Sequence, residues 1–240
     1  QFMCWLEQVP LNVLTQHPPL LLMGIWGAVL TLWTDKAQAW IGALATVAQA
    51  AQWSSQLRLL EASIAIQRDD VVGCLALLEK IDRPALGNPF HEQVHCGLHI
   101  GCLALMGRHT EGRHLFNHQG ARHLRAGTDE MVLLYIATVA NAAMVEGKVL
   151  DAERIGKPGL LQAEAVHGRR SVSACSSAAV MAEVYYELDR TDDAREALAN
   201  RLDILRFSAP GYMIVAALCC ARLQCLQVSP RVALEYLEQK

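Results

Sequence analysis

The residues best suited to chemistry in this chain are its histidines. His91-Glu92-Gln93-Val94-His95 reads as HExxH. On a helix this spacing puts two imidazoles one turn apart on one face, with a carboxylate beside them as a base, the arrangement of a zinc-dependent hydrolase. His99 extends the face by another turn, so His91, His95 and His99 are the candidate metal ligands. A zincin takes its third ligand from elsewhere, and HxxxHxxxH does not supply it. The expected role is therefore structural or ligand-lining, with zinc-dependent hydrolysis through His91, Glu92 and His95 as the remote alternative. His109, His114, His118 and His123 stand with Arg108, Arg113, Arg122 and Arg125 in a locally basic stretch. A solvated helix face is the simple reading, and an anionic partner the sharper one.

No GxxxxGK[ST] phosphate loop, GxGxxG turn or GxSxG elbow occurs. Ser171, Ser173, Ser176 and Ser177 have no His and Asp arranged to activate them, and read as caps or helix lining. Gly24 and Gly27 lie in an apolar run and read as packing glycines. No catalytic residue is assigned, and no cofactor is expected for this chain itself.

Alanine and leucine dominate, with 52% hydrophobic and only 6% aromatic residues, which favours close-packed helices over sheet. A net charge of −3 offers no footprint for nucleic acid. The eight cysteines are scattered in apolar contexts without a CxxC pair, as buried thiols of a cytoplasmic protein would be. Residues 11–34 carry no Asp, Glu, Lys or Arg, yet the continuous apolar part, 20–30, is short of the ~20 residues a membrane span requires. A buried helix is expected there, and no membrane contact. The chain opens at Gln1 without a recognisable signal peptide, so it reads as a piece of a longer protein whose residues 1–17 end a preceding module.

The elements that must position any site are helical hairpins. Residues 178–206 are the clearest case. Val180, Val184 and Leu188, with Ala182, recur at helical spacing, and a polar turn follows in which Thr191 can cap a second helix. Asp192 and Asp193 suit the positive end of that helix, and Ala194, Leu198, Leu202 and Leu205 form its stripe. Small residues recur after each turn at Ala37, Gly73, Gly112, Ala152, Ala194 and Ala233, spaced by 36, 39, 40, 42 and 39 residues. A second set, Gly27, Ala62, Gly101, Ala140, Ala182 and Ala221, precedes them. Small residues at both places let antiparallel helices approach closely, as in tetratricopeptide hairpins, although the period exceeds their ~34 residues.

Six hairpins result. The first, 18–52, turns at Trp33 to Lys36, the second, 54–81, at Gln67 to Asp70, and the third, 90–125, at Met106 to Thr110. The fourth restarts at Ala126-Gly127-Thr128-Asp129, with Thr128 as cap, and Gly156-Lys157-Pro158-Gly159 should break or kink its second helix. The fifth is 178–206. The sixth begins after Pro210-Gly211, with Ser229-Pro230 opening a last helix. The expected fold is thus all-α, a tetratricopeptide-like superhelix of about six hairpins forming one domain over 1–240. First helices line the concave face of such arrays. The register turns Gln56, Ser63, His95, Asn141, Glu183, Tyr186 and Arg222 toward that face as ligand-binding candidates.

The strings AEVYYELDRTDDAREALANRLDILR and GYMIVAALCCARLQ resemble the helical repeat region of MalT-like, LuxR-type ATP-dependent transcriptional regulators, best over residues 172–227. The resemblance implies a central sensor region that binds an inducer or partner and controls oligomerisation. It also implies flanking nucleotide-binding and helix-turn-helix modules in the parent protein, so ATP belongs to the parent. The functional expectation is a module of such a regulator, binding a small-molecule effector or protein partner in its groove, with possible self-association and no direct nucleic-acid contact. The alternative is a free-standing tetratricopeptide scaffold.

Overall fold

The computed structural model describes residues 2–47, 50–120 and 129–238. Among these the chain is all-helical, with fifteen α-helices and no strand. It divides into two compact units, residues 1–95 and 96–240.

The first unit holds α1 (Phe2–Leu6), α2 (Leu11–Leu14), α3 (Pro18–Leu30), α4 (Thr34–Ala45), α5 (Ser54–Gln67) and α6 (Val71–Leu78). The division falls inside α7 (Pro89–Leu105), which leads to α8 (His109–Leu115) in the second unit. Next come α9 (Glu130–Val145), α10 (Val149–His167), α11 (Val172–Glu187), α12 (Thr191–Leu198), α13 (Leu202–Leu205), α14 (Pro210–Gln227) and α15 (Pro230–Glu238).

Six helix pairs are joined by short turns, and five of these turns share one geometry. Leu32, Asp69, Gly107, Gly147 and Asp189 each lie two residues before a second helix, with φ of 62°, 63°, 72°, 79° and 58°. The next N–H, of Trp33, Asp70, Arg108, Lys148 or Arg190, donates to the carbonyl five residues back at 2.8–2.9 Å. This is the Schellman closure, which satisfies carbonyls that a helix end leaves open. The sixth turn differs: Val228 has φ −118°, and the Ser229 hydroxyl accepts from the Val232 N–H at 3.4 Å.

The turn fixes the register of the second helix. The fourth residue of each second helix is Ala37, Cys74, Gly112, Ala152, Ala194 or Ala233, and all six are buried. In the second hairpin the small position is therefore Cys74, one residue beyond Gly73, whose N–H instead donates to the capping Asp70 carboxylate at 2.8 Å. Thr191 likewise does not cap α12. The Schellman turn makes Arg190 the capping position, and its guanidinium pairs with Glu153 and Asp193, each at 2.6 Å. The predicted cap Thr128 lies outside the described residues.

In the first unit, the charge-free stretch supplies Leu21, Ile25, Ala28 and Val29 to a core with Trp40, Ile41, Leu44, Leu57, Leu60 and Ile64. Leu6 and Leu14 are buried in the same core. A Cβ on Gly24 would stand 2.9 Å from the Trp40 ring, so that glycine is what lets α3 meet α4. Among the described residues no helix is long and apolar enough to cross a membrane.

In the second unit α11 packs against α9, α10, α12, α13 and α14. Every residue from Ser173 to Ala182 is buried, because a helix of Ala, Ser and Cys can be approached from all sides. It begins at Val172, where Ser171 caps it by accepting from the Ala174 N–H at 3.2 Å.

Two expectations are corrected here. The fourth hairpin's second helix is not broken at Pro158: α10 runs unbroken for 19 residues. Gly156 lies under Met181 and Ala140, and Gly159 under Ile136, so the absence of side chains lets α10 seat closely on α11 and α9. That burial outweighs the ~3 kcal/mol a helix-interior proline costs. Conversely, the stripe from Ala194 to Leu205 is not one helix. It breaks after Leu198, where Ala199 is extended (ψ 122°) and Asn200 is left-handed (φ 59°). The break carries Arg201 inward to 1% exposure, where it donates to the Ala174 carbonyl at 3.1 Å and pairs with Glu164.

Two outcomes test this packing. Arg201→Ala leaves Glu164 without its partner and removes a second donor from the Ala174 carbonyl, and should cost about 3–5 kcal/mol in urea unfolding, with Arg201→Met retaining part of that by keeping its stem. Gly159→Ala should destabilise by about 1–2 kcal/mol in spite of better helix propensity, since its Cβ would meet Ile136 Cγ2 at 2.6 Å. An unchanged or raised midpoint for either would contradict the packing described.

Candidate functional site

The first helices of the second unit lie side by side, α9 against α11 and α11 against α14. The Thr138 and Tyr212 hydroxyls meet at 2.9 Å, joining α9 to α14. Burial pushes the Tyr212 phenol up to about 12, so it stays protonated as part of this strut. One turn further along both helices a groove of about 310 Å³ opens, lined by Asn141, Met144, Val145, Gly147, Val149, Glu183, Glu187, Val215 and Leu218. Helical spacing explains the set: Glu183 and Glu187 are one turn apart on α11, and Val215 and Leu218 one turn apart on α14. Val145 and Leu218 are exposed, so the walls are apolar and open to solvent.

Glu183 is the electrostatic centre. One carboxylate oxygen pairs with Arg222 of α14. The other, Oε2, is buried and accepts no hydrogen bond among the described residues. Burial pushes the Glu183 carboxyl above the usual carboxylate range, against the opposing pull of Arg222. Arg222, despite its own partial burial, is pushed up by Glu183 and Glu187 and stays charged. Its guanidinium lies 3.9 Å from Glu187 and 5.6 Å from the Tyr186 ring centroid.

Four of the seven predicted groove residues thus come together: Asn141 and Glu183 in the lining, Tyr186 and Arg222 beside it. Gln56, Ser63 and His95 belong to the first unit. The Ser63 hydroxyl bonds back to the Leu59 carbonyl at 2.8 Å, Gln56 is half-buried, and His95 is buried with Nε2 3.2 Å from the Leu78 carbonyl. Glu187, Met144, Val149, Val215 and Leu218 were not singled out from sequence. Glu187 carried a usable signal, since it follows Glu183 by four residues on one helix.

The HExxH stretch lies on α7. His91 stacks on Trp26, with centroids 4.9 Å apart and planes 9° apart, and its Nδ1 is 2.9 Å from the Leu86 carbonyl. His91 and His95 thus turn opposite ring nitrogens to backbone carbonyls, and His99 follows on the same helix. Among the described residues no three His, Cys, Asp or Glu are grouped to hold a metal ion. In the basic stretch, Arg108 grips Glu111 through two bonds of 2.7 and 2.8 Å, and Arg113 pairs with Glu146. Arg122, His123 and Arg125 lie outside the described residues.

Comparison with protein-family models, curated proteins and solved structures finds no match to this chain.

The Glu183 environment has a pH signature. The fold favours the protonated acid, so this group's contribution is fully present below the ordinary value of 4.5 and is lost as pH rises through the raised value. Glu183→Gln cannot ionise. Wild type should therefore lose stability relative to Glu183→Gln between pH 4.5 and neutrality in urea titrations. A difference that is flat, or of opposite sign, would refute the burial effect.

Proposed function

We propose that this chain is the effector-sensing and protein-interaction region of a MalT-like, LuxR-type transcriptional regulator, built as a superhelix of stacked helix hairpins. The repeated Schellman turn supports stacked hairpins, since each places a small buried residue at the same point of the next helix. The observation that carries a binding role is the groove over α9, α11 and α14, where a half-buried carboxylate stands among apolar walls.

The mechanism comes from where the groove lies. An effector seated there would touch four helices, α9, α10, α11 and α14, whose relative packing it then biases. It can act only through its differential affinity for two packings. The packed state would be relayed to flanking modules, an ATP-binding one and a helix-turn-helix in the parent protein, with assembly as output. On this reading the chain itself needs no cofactor, contacts no DNA, acts in the cytoplasm and self-associates or binds a partner protein.

A thermal-shift screen of metabolites and peptides should yield a ligand that stabilises the wild-type protein. Val215→Trp, which fills the groove, should weaken that ligand at least tenfold while leaving the helical spectrum intact. A ligand unaffected by Val215→Trp would place binding elsewhere. A full gene product lacking a helix-turn-helix would remove the regulator reading, and capture of peptides alone would favour a scaffold.

A further inference from the structure

The chemistry of the groove says what kind of ligand it takes, given that the groove is the binding site proposed above. Its charges are Glu183 and Glu187 against Arg222, one negative charge in excess. Arg222 is already engaged by both carboxylates and the Tyr186 ring, which leaves it little to offer an anion. Among the described residues Glu183 Oε2 is buried without a hydrogen-bond donor, and an unmet buried acceptor is costly unless something supplies one. Asn141 adds an amide group from α9 to the same lining.

Around these polar groups stand Val145, Val149, Val215 and Leu218. A divalent metal of the calcium type wants six or more oxygen ligands, and such walls do not provide them. An organic cation fits both features at once: N–H donors for Glu183, and hydrocarbon for the valines and leucine. The volume, about 310 Å³, is at the small end of ligand pockets, which favours a free small molecule over a segment of a partner protein.

We infer that the groove over α9, α11 and α14 binds a small alkylammonium or guanidinium compound, its cationic head on Glu183 and its aliphatic body against Val145, Val149, Val215 and Leu218. The head group would be held by charge-assisted hydrogen bonds, with Glu187 adding field strength and Asn141 an acceptor.

The test uses n-hexylamine, 1-hexanol and hexanoate as probes of one shape and three charges, by calorimetry on the whole chain. Hexylamine should bind at least tenfold tighter than hexanol, and hexanoate weakest. Glu183→Gln should reduce hexylamine binding by about ten- to a hundredfold, with Glu187→Gln reducing it less. Because Glu183→Gln could disturb packing through Arg222, Val215→Trp serves as a charge-neutral control that should block hexylamine with the helical spectrum retained. Equal binding of hexylamine and hexanol, or tighter hexanoate, overturns the cation inference while leaving the groove as a binding site. Failure of all three probes, together with a screened ligand indifferent to Val215→Trp, overturns the groove itself. A Gly-Lys-Gly peptide binding tenfold tighter than hexylamine would assign the cation to a partner protein and overturn the small-molecule source.

Discussion

A single left-handed residue in a three-residue turn, closed by an N–H bonded five residues back, is the constraint on which the hairpins depend. It reverses the chain in the shortest distance and starts the second helix at a fixed phase. The side chain four places into that helix then always faces the first one. Only a small residue fits there: Ala37, Cys74, Gly112, Ala152 and Ala194 occupy it, and the sixth hairpin places Ala233 at the same point through a different turn. The geometry is imposed even where the residue resists it. Leu32 adopts φ 62°, a conformation that costs an L side chain about 1–2 kcal/mol, while Gly107 and Gly147 adopt it freely.

Close approach has a second consequence in the second unit. α11 is so poor in bulky side chains that five helices can surround it, and α10 keeps its helix through Pro158 because Gly156 and Gly159 bring it close to α11 and α9. Such packing leaves few places for charge. Where charge does enter, at Arg201, the chain breaks its helix to pair the guanidinium with Glu164 and the Ala174 carbonyl. A buried ion pair of this kind is a demanding arrangement, and it ties α11 to the segment after α12.

The groove is where this close packing relaxes. Thr138 and Tyr212 hold α9 to α14, and one turn on the lining changes from hydroxyls to valine, leucine and two glutamates. Glu183 is caught between its ion pair with Arg222 and a desolvated second oxygen, so the site carries polarity that the fold alone does not use. That imbalance, more than the cavity's size, sets it apart from the close-packed interior around it.

The sequence by itself determined the helical class, the hairpins and most of their turns, because these depend on local spacing: small residues at fixed intervals, glycine and aspartate at turns, proline at helix starts. Of the seven residues it set at one helical phase, Asn141, Glu183, Tyr186 and Arg222 lie at or beside one groove, whereas Ser63 and His95 are buried in the first unit and Gln56 is half-buried there. It did not determine that α10 survives Pro158, that the stripe from Ala194 to Leu205 splits, or that Arg201 is buried. Each of those depends on a partner 20 or more residues distant, Ile136 and Met181 for α10 and Glu164 and Ala174 for Arg201. Nor could periodicity tell that Val215 and Leu218 join Glu183 at one groove, or that Glu183 Oε2 finds no donor among the described residues. Desolvation and unmet hydrogen bonds are properties of neighbours brought together in space, and only the packing of α9, α11 and α14 decided them.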